Sequence, residues 1–102
     1  MGQEEQEVSG GQGRGGRTER GIPRSLAPFL QEYNLEDLTP QRAKATLIER
    51  TLRYGSREEL RWLFRLYGEE AIAAWVRDWG RYALPPAQLA FWRLVLGLEG
   101  VV

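Results

Sequence analysis

The sequence predicts an all-α protein, a compact bundle of four to five short helices behind a disordered N-terminal tail. Three observations carry that expectation. Apolar residues recur at i, i+3, i+4 and i+7, most clearly as Ile72, Trp75, Val76 and Trp79. Helix start and stop residues bracket each periodic run. Alternating β-branched runs and Asn-Gly or Asp-Gly hairpin turns do not occur in the sequence.

Residues 1–21 hold seven of the twelve glycines and only Val8 as a large apolar residue besides Met1. Such a segment cannot bury enough surface to offset its ordering entropy, so it reads as a disordered Gly/Arg/Glu-rich tail. Residues 22–102 read as a single helical domain, and a chain of 102 residues has room for only one. Order is expected to begin near Ile22–Ser25.

SLAPFLQEY (25–33) is the first short helix, with Ser25 as its cap and Pro28 in its first turn. LEDL (35–38) is a connector with two apolar anchors. Thr39 and Pro40 open the second helix, which Gly55 ends as a left-handed cap. Ala43, Leu47, Thr51 and Tyr54 share its inner side, widened by Ile48 and Leu52. Ser56 and Glu59 form a capping box for the third helix, which Gly68 stops. Glu69 and Glu70 suit the positive end of the fourth helix. Leu84-Pro85-Pro86 ends that helix and starts a fifth, AQLAFWRLVL, stopped by Gly97.

The third helix poses a question. Leu60, Leu63, Phe64 and Tyr67 make one core stripe. Trp62 and Leu66 then fall on a second face, and the helix is apolar over about 200°. The fifth helix is as broad, with Leu89, Phe91, Trp92, Leu94, Val95 and Leu96. Trp75, Trp79 and Trp92 are expected in the core. Trp62 and Leu66 either pack a second layer or meet a partner. With Arg61 and Arg65 they have the composition of an interface hot spot.

Composition narrows the chemistry. There is no Cys and no His, which removes thiol nucleophiles, disulfides, imidazole bases and the usual zinc ligands. The formal net charge is zero, so no whole-molecule field attracts DNA or an anionic membrane. No apolar run reaches the ~20 residues of a membrane helix, and no secretory leader pattern precedes the body. A cytoplasmic protein is expected. No catalytic residue, cofactor or metal ligand is assigned, and the expectation is that the protein is not an enzyme.

Gly11, Gly13 and Gly16 match GxGxxG, but no strand precedes them and no helix follows, so a flexible tail is preferred to a dinucleotide loop. Arg14, Arg17, Arg20 and Arg24 resemble a short strand-binding tail, offset by Glu4, Glu5 and Glu7 and lacking an aromatic. The acidic pairs Glu36/Asp37, Glu58/Glu59 and Glu69/Glu70 sit at or near helix starts, which explains them structurally. Arg57, Arg61 and Arg65 form a basic stripe. Helix–Gly–helix over residues 57–79 has the outline of a helix-turn-helix, with Arg57, Arg77 and Arg81 as DNA-binding candidates. Few Asn, Gln, Ser or Thr accompany them to read base edges.

Ile48-Glu49-Arg50, Leu52, Tyr54-Gly55, Leu60-Arg61-Trp62-Leu63, Tyr67-Gly68, Phe91-Trp92 and Leu96-Gly97 carry a family resemblance. Over residues 29–98 the chain resembles small uncharacterised prokaryotic helical domains often encoded beside AbiEii-type nucleotidyltransferase toxins. Pro85-Pro86 depart from the polar cap of that pattern. The resemblance implies an antitoxin-like or regulatory role and transfers no catalytic residue. The leading expectation is a non-enzymatic interaction module that restrains a partner protein, plausibly a toxin. The runner-up is a DNA-binding regulator paired through its fifth helix as a homodimer. A permanently buried structural subunit is the third.

Overall fold

The computed structural model describes residues 16–99. Within them the chain divides into two compact units, one closing at Lys44 and the other opening at Ala45. The described residues are helical, with no strand beyond an isolated antiparallel bridge between Arg17 and Pro23.

The first unit starts earlier than expected. Residues 16–21 are ordered, whereas the tail was expected to be disordered through Gly21. The reason is local bonding around Thr18. Its N–H donates to the Ile22 carbonyl at 2.8 Å, its hydroxyl accepts from the Ile22 N–H at 3.1 Å, and its carbonyl accepts from the Gly21 N–H at 2.9 Å. Gly21 supplies the positive φ of 92° that closes this turn. Thr18 and Ile22 are both buried. The rest of the tail, with Gly11, Gly13 and Arg14, lies outside the described residues.

A 3-10 helix follows at Arg24–Phe29, where a short α-helix capped by Ser25 was expected. Pro23 occupies the cap position and no side chain caps the helix. Pro28 inside it has no N–H and disfavours α geometry in Ala27, which keeps the element short. Leu26 and Leu30 are buried. A second 3-10 turn, Leu35–Asp37, is capped by the Asn34 side chain accepting from the Glu36 N–H at 3.1 Å. Arg24 and Glu36 form an ion pair. Thr39 accepts from the Arg42 N–H at 3.2 Å, but residues 40–43 form turns and the helix that Thr39 and Pro40 were expected to open begins at Lys44.

The second unit holds the regular helices: α1 (Lys44–Tyr54), α2 (Arg57–Tyr67), α3 (Glu69–Ala83) and α4 (Pro86–Val95). In α1, Leu47, Ile48, Thr51 and Leu52 are buried, as the pattern predicts. Gly55 ends α1 but is not left-handed; the positive-φ glycines are Gly21, Gly68 and Gly97. Its requirement is space, because a Cβ there would lie 2.6 Å from the Thr51 carbonyl oxygen. The capping box is complete: Ser56 N–H donates to Glu59 Oε1 at 2.8 Å and Glu59 N–H to Ser56 Oγ at 3.2 Å. Gly68, at φ 87°, is the C-cap of α2 and the N-cap of α3 at once. At the end of α4 the Leu98 N–H reaches the Arg93 carbonyl at 2.7 Å and the Gly97 N–H reaches Leu94 at 3.2 Å. That pair, with Gly97 at φ 72°, is a Schellman closure.

α3 packs on both α2 and α4. Its buried seam is Ile72, Val76 and Gly80. The expected stripe through Trp79 is therefore displaced, and Trp79 is 58% exposed. The cause is Gly80, where a Cβ would lie 2.7 Å from Leu89 Cδ1. Glycine lets α4 approach α3 closely, and α3 turns towards that contact. α4 is tied to α1 by side chains that cap its last turn. Trp92 Nε1–H donates to the Leu52 carbonyl at 3.1 Å, and Gln88 Nε2–H donates to the Arg53 carbonyl at 3.1 Å. These are carbonyls that a helix end leaves without an intrahelical partner.

Trp92→Phe keeps an aromatic ring but removes the donor, stranding the Leu52 carbonyl. It should lower unfolding free energy by about 1–3 kcal/mol in urea titration. A variant as stable as the parent would show that the bond contributes little.

Candidate protein-interaction surfaces

On α2 the structure answers which apolar face is inside. Glu59, Trp62 and Leu63 are buried. Leu60, Phe64 and Tyr67, expected as core with Leu63, are only half-buried. The buried face thus lies to one side of the expected stripe, with Leu63 common to both. Trp62 has more apolar area to remove from water than Leu60 has, and turning it inward carries Leu60 and Phe64 to the rim.

The predicted partner-binding set is thereby separated. Trp62 is 7% exposed and belongs to the core, whereas Leu66 is 41% exposed. Arg61 and Arg65 are both exposed. The structure does not bring Trp62 to the surface beside these arginines. It places Arg57, Leu60, Arg61 and Phe64 together instead, lining an open apolar groove of about 400 Å³. The i, i+3, i+4, i+7 spacing of these four was present in the sequence, but the arginines drew Arg57 into a different grouping. Phe64 is held from behind by Trp92, with ring centroids 6.2 Å apart and planes tilted by 31°.

α4 carries the largest departure from an ordinary surface. Gln88, Leu89, Trp92 and Leu96 face inward as buried or half-buried residues. The opposite face, Ala87, Ala90, Phe91, Leu94 and Val95, is wholly apolar and exposed. Phe91, Leu94 and Val95 are 55%, 58% and 50% accessible. Phe91 packs edge-on against Trp92, centroid to centroid 5.0 Å, so its ring is held in place. Helices apolar all round are normally buried, and contiguous exposed apolar patches mark interaction sites. On α3, Trp79 and Tyr82 form a smaller exposed pair, 6.5 Å apart, with Arg81 over the Tyr82 ring at 5.9 Å.

The DNA-binding candidates are not gathered on one element. Arg57 lines the α2 groove. Arg77 donates to its neighbour Asp78 at 3.2 Å, and Arg81 lies on Tyr82. Among the described residues no group of three or more His, Cys, Asp or Glu could hold a metal ion. None of their helices is long and apolar enough to cross a membrane. Burial disfavours the Tyr67 phenolate and pushes its pKa up from 10.0 to about 12.

A family model described as a family of unknown function (DUF6922) matches residues 26–76, half of the chain. The match ends within α3 and leaves α4 beyond it. No curated protein and no solved structure matches the chain.

Two measurements check this description. Trp62→Ala should destabilise the free protein by about 3–5 kcal/mol, since it empties a core position; an unchanged melting temperature would return Trp62 to the surface. The Tyr67 pKa is raised by folding, so the neutral phenol is the favoured form. Its contribution is intact below pH 10 and is lost as pH rises from 10 through about 12. Absorbance titration of phenolate should show a component near pH 12 that Tyr67→Phe removes.

Proposed function

The chain belongs to this family of unknown function, and we propose that it is a non-enzymatic protein-interaction module that binds and restrains a partner protein. The single observation that supports the reading is the bare apolar face of α4. Phe91, Leu94 and Val95 sit at i, i+3 and i+4, which is the anchor spacing of a helix that packs against another protein. Covering that face removes apolar area from water at about 25 cal/mol per Å². The ring of Phe91 is already ordered against Trp92, so little freedom is lost when it is covered.

The partner we propose is a nucleotidyltransferase-like toxin, in keeping with the family resemblance of the sequence, and the mode of restraint is steric capping. No chemistry by this chain is required. Arg93, beside the stripe, and the α2 groove border the same part of the unit through Trp92, so a partner on α4 meets cationic side chains at its edge.

The test is retrieval of the tagged chain from nuclease-treated lysate of its own host. A stoichiometric protein partner is expected. Phe91→Asp with Leu94→Asp should weaken its binding at least about 30-fold. Both side chains are exposed, and circular dichroism with the melting temperature checks that the variant keeps its fold. A partner that binds the double variant normally would exclude α4 as its surface. Recovery of no protein partner, with DNA enriched from the untreated lysate instead, would overturn the reading. A dimer that the double variant splits into monomers would assign the face to a second copy of this chain.

A further inference from the structure

Two sets of arginines in this protein differ in their partners. Arg24, Arg50, Arg53 and Arg77 each form an ion pair, with Glu36, Glu49, Glu49 and Asp78. Arg57, Arg61 and Arg65 are exposed and form none among the described residues. They stand at i, i+4 and i+8 on α2, where like charges one turn apart destabilise a helix. Glu59 is buried and bonded to Ser56, and the exposed Glu58, on the side away from Leu60 and Phe64, forms no ion pair with them. The zero net charge of the chain thus conceals a local cationic ridge.

The ridge borders an apolar floor. Arg57 and Arg61 flank Leu60 and Phe64 in the groove of about 400 Å³, and the floor is backed by the Trp92 ring. From Arg57 to Arg65 the ridge runs about 12 Å, or two turns of a helix laid beside it. Guanidinium groups match carboxylates in two parallel hydrogen bonds, and they do so best beside a surface that excludes water. The phosphates of a duplex would also meet the arginines, but its bases are stacked inward and leave nothing apolar to place on Leu60 and Phe64.

We propose that this groove docks an acidic amphipathic helix of a partner protein. Its apolar residues lie on Leu60 and Phe64, and its carboxylates pair with Arg57 and Arg61. This deepens the interaction-module reading and rests on it. It uses α2 where that reading uses α4, so the two can fail separately.

The test uses the full chain, labelled with ¹⁵N, and three synthetic helical peptides of about 16 residues. One carries a leucine stripe flanked by glutamates, the second has lysine for every glutamate, and the third has serine for every leucine. The Leu/Glu peptide should bind and shift the amides of α2. Its affinity should fall at least about tenfold between roughly 50 and 500 mM NaCl. Arg57→Glu with Arg61→Glu should lower it by at least as much. Acidic residues suit the N-terminal half of a helix, so that variant should keep its fold, which circular dichroism checks. Phe91→Asp should leave the peptide bound as before.

Failure of the Leu/Glu peptide to bind at roughly 1 mM would overturn the proposal. So would equal binding of the lysine or serine peptides, or shifts confined to α4. Binding of a DNA duplex of about 20 base pairs to α2 that the peptide cannot displace would assign the ridge to phosphate instead.

Discussion

The bond from the Trp92 indole to the Leu52 carbonyl sets the orientation of everything around it. It spans forty positions of sequence and ends on a carbonyl that α1 cannot satisfy alone. Gln88, one turn earlier, does the same for Arg53. Two donors on one side of α4 fix the rotation of that helix. The apolar residues on its far side are then obliged to face outward, whatever their hydrophobicity. The bare face of α4 is thus a by-product of how α1 is closed. The same indole carries Phe91 on one side and Phe64 on another, so it also positions the floor of the α2 groove.

Glycine governs the approach of α3 to α4 in a similar way. With no side chain at Gly80, Leu89 comes to where a Cβ would stand. That contact is closer than an alanine would allow, and α3 rotates to use it. Trp79 is left outside as a result, despite its helical spacing with Ile72 and Val76. A small residue therefore outweighs the largest apolar one in deciding which face of α3 is core.

The ends of α2, α3 and α4 were legible in the sequence, and the rotations of the helices were not. Ser56, Glu59, Pro86, Gly68 and Gly97 act on backbone groups within a few residues of themselves, so their spacing suffices to read them. The inward face of α2 or α4 depends on partners far along the chain. Both helices are apolar over so wide an arc that several rotations bury similar area. Periodicity alone placed Leu60 and Phe64 inside and left Trp62 undecided. Gly55 looked like an ordinary left-handed cap, and its actual constraint, the Thr51 carbonyl beneath it, appears only in three dimensions. The Thr18 turn was missed because glycine-rich composition outweighed one buried hydroxyl. The candidate surfaces were legible as residue types, since Arg61 and the broad α4 were both singled out, but their grouping was not.

Gly68 joins α2 to α3 with no loop at all, since one residue ends the first helix and begins the second. Two helices so joined behave like meshed gears. A residue inserted at the joint would turn α3 by about 100° relative to α2 and drive Gly80 off the α4 crossing. Deletion would do the reverse. A change of length between Arg57 and Ala83 therefore costs the α3–α4 contact, which a substitution can leave in place.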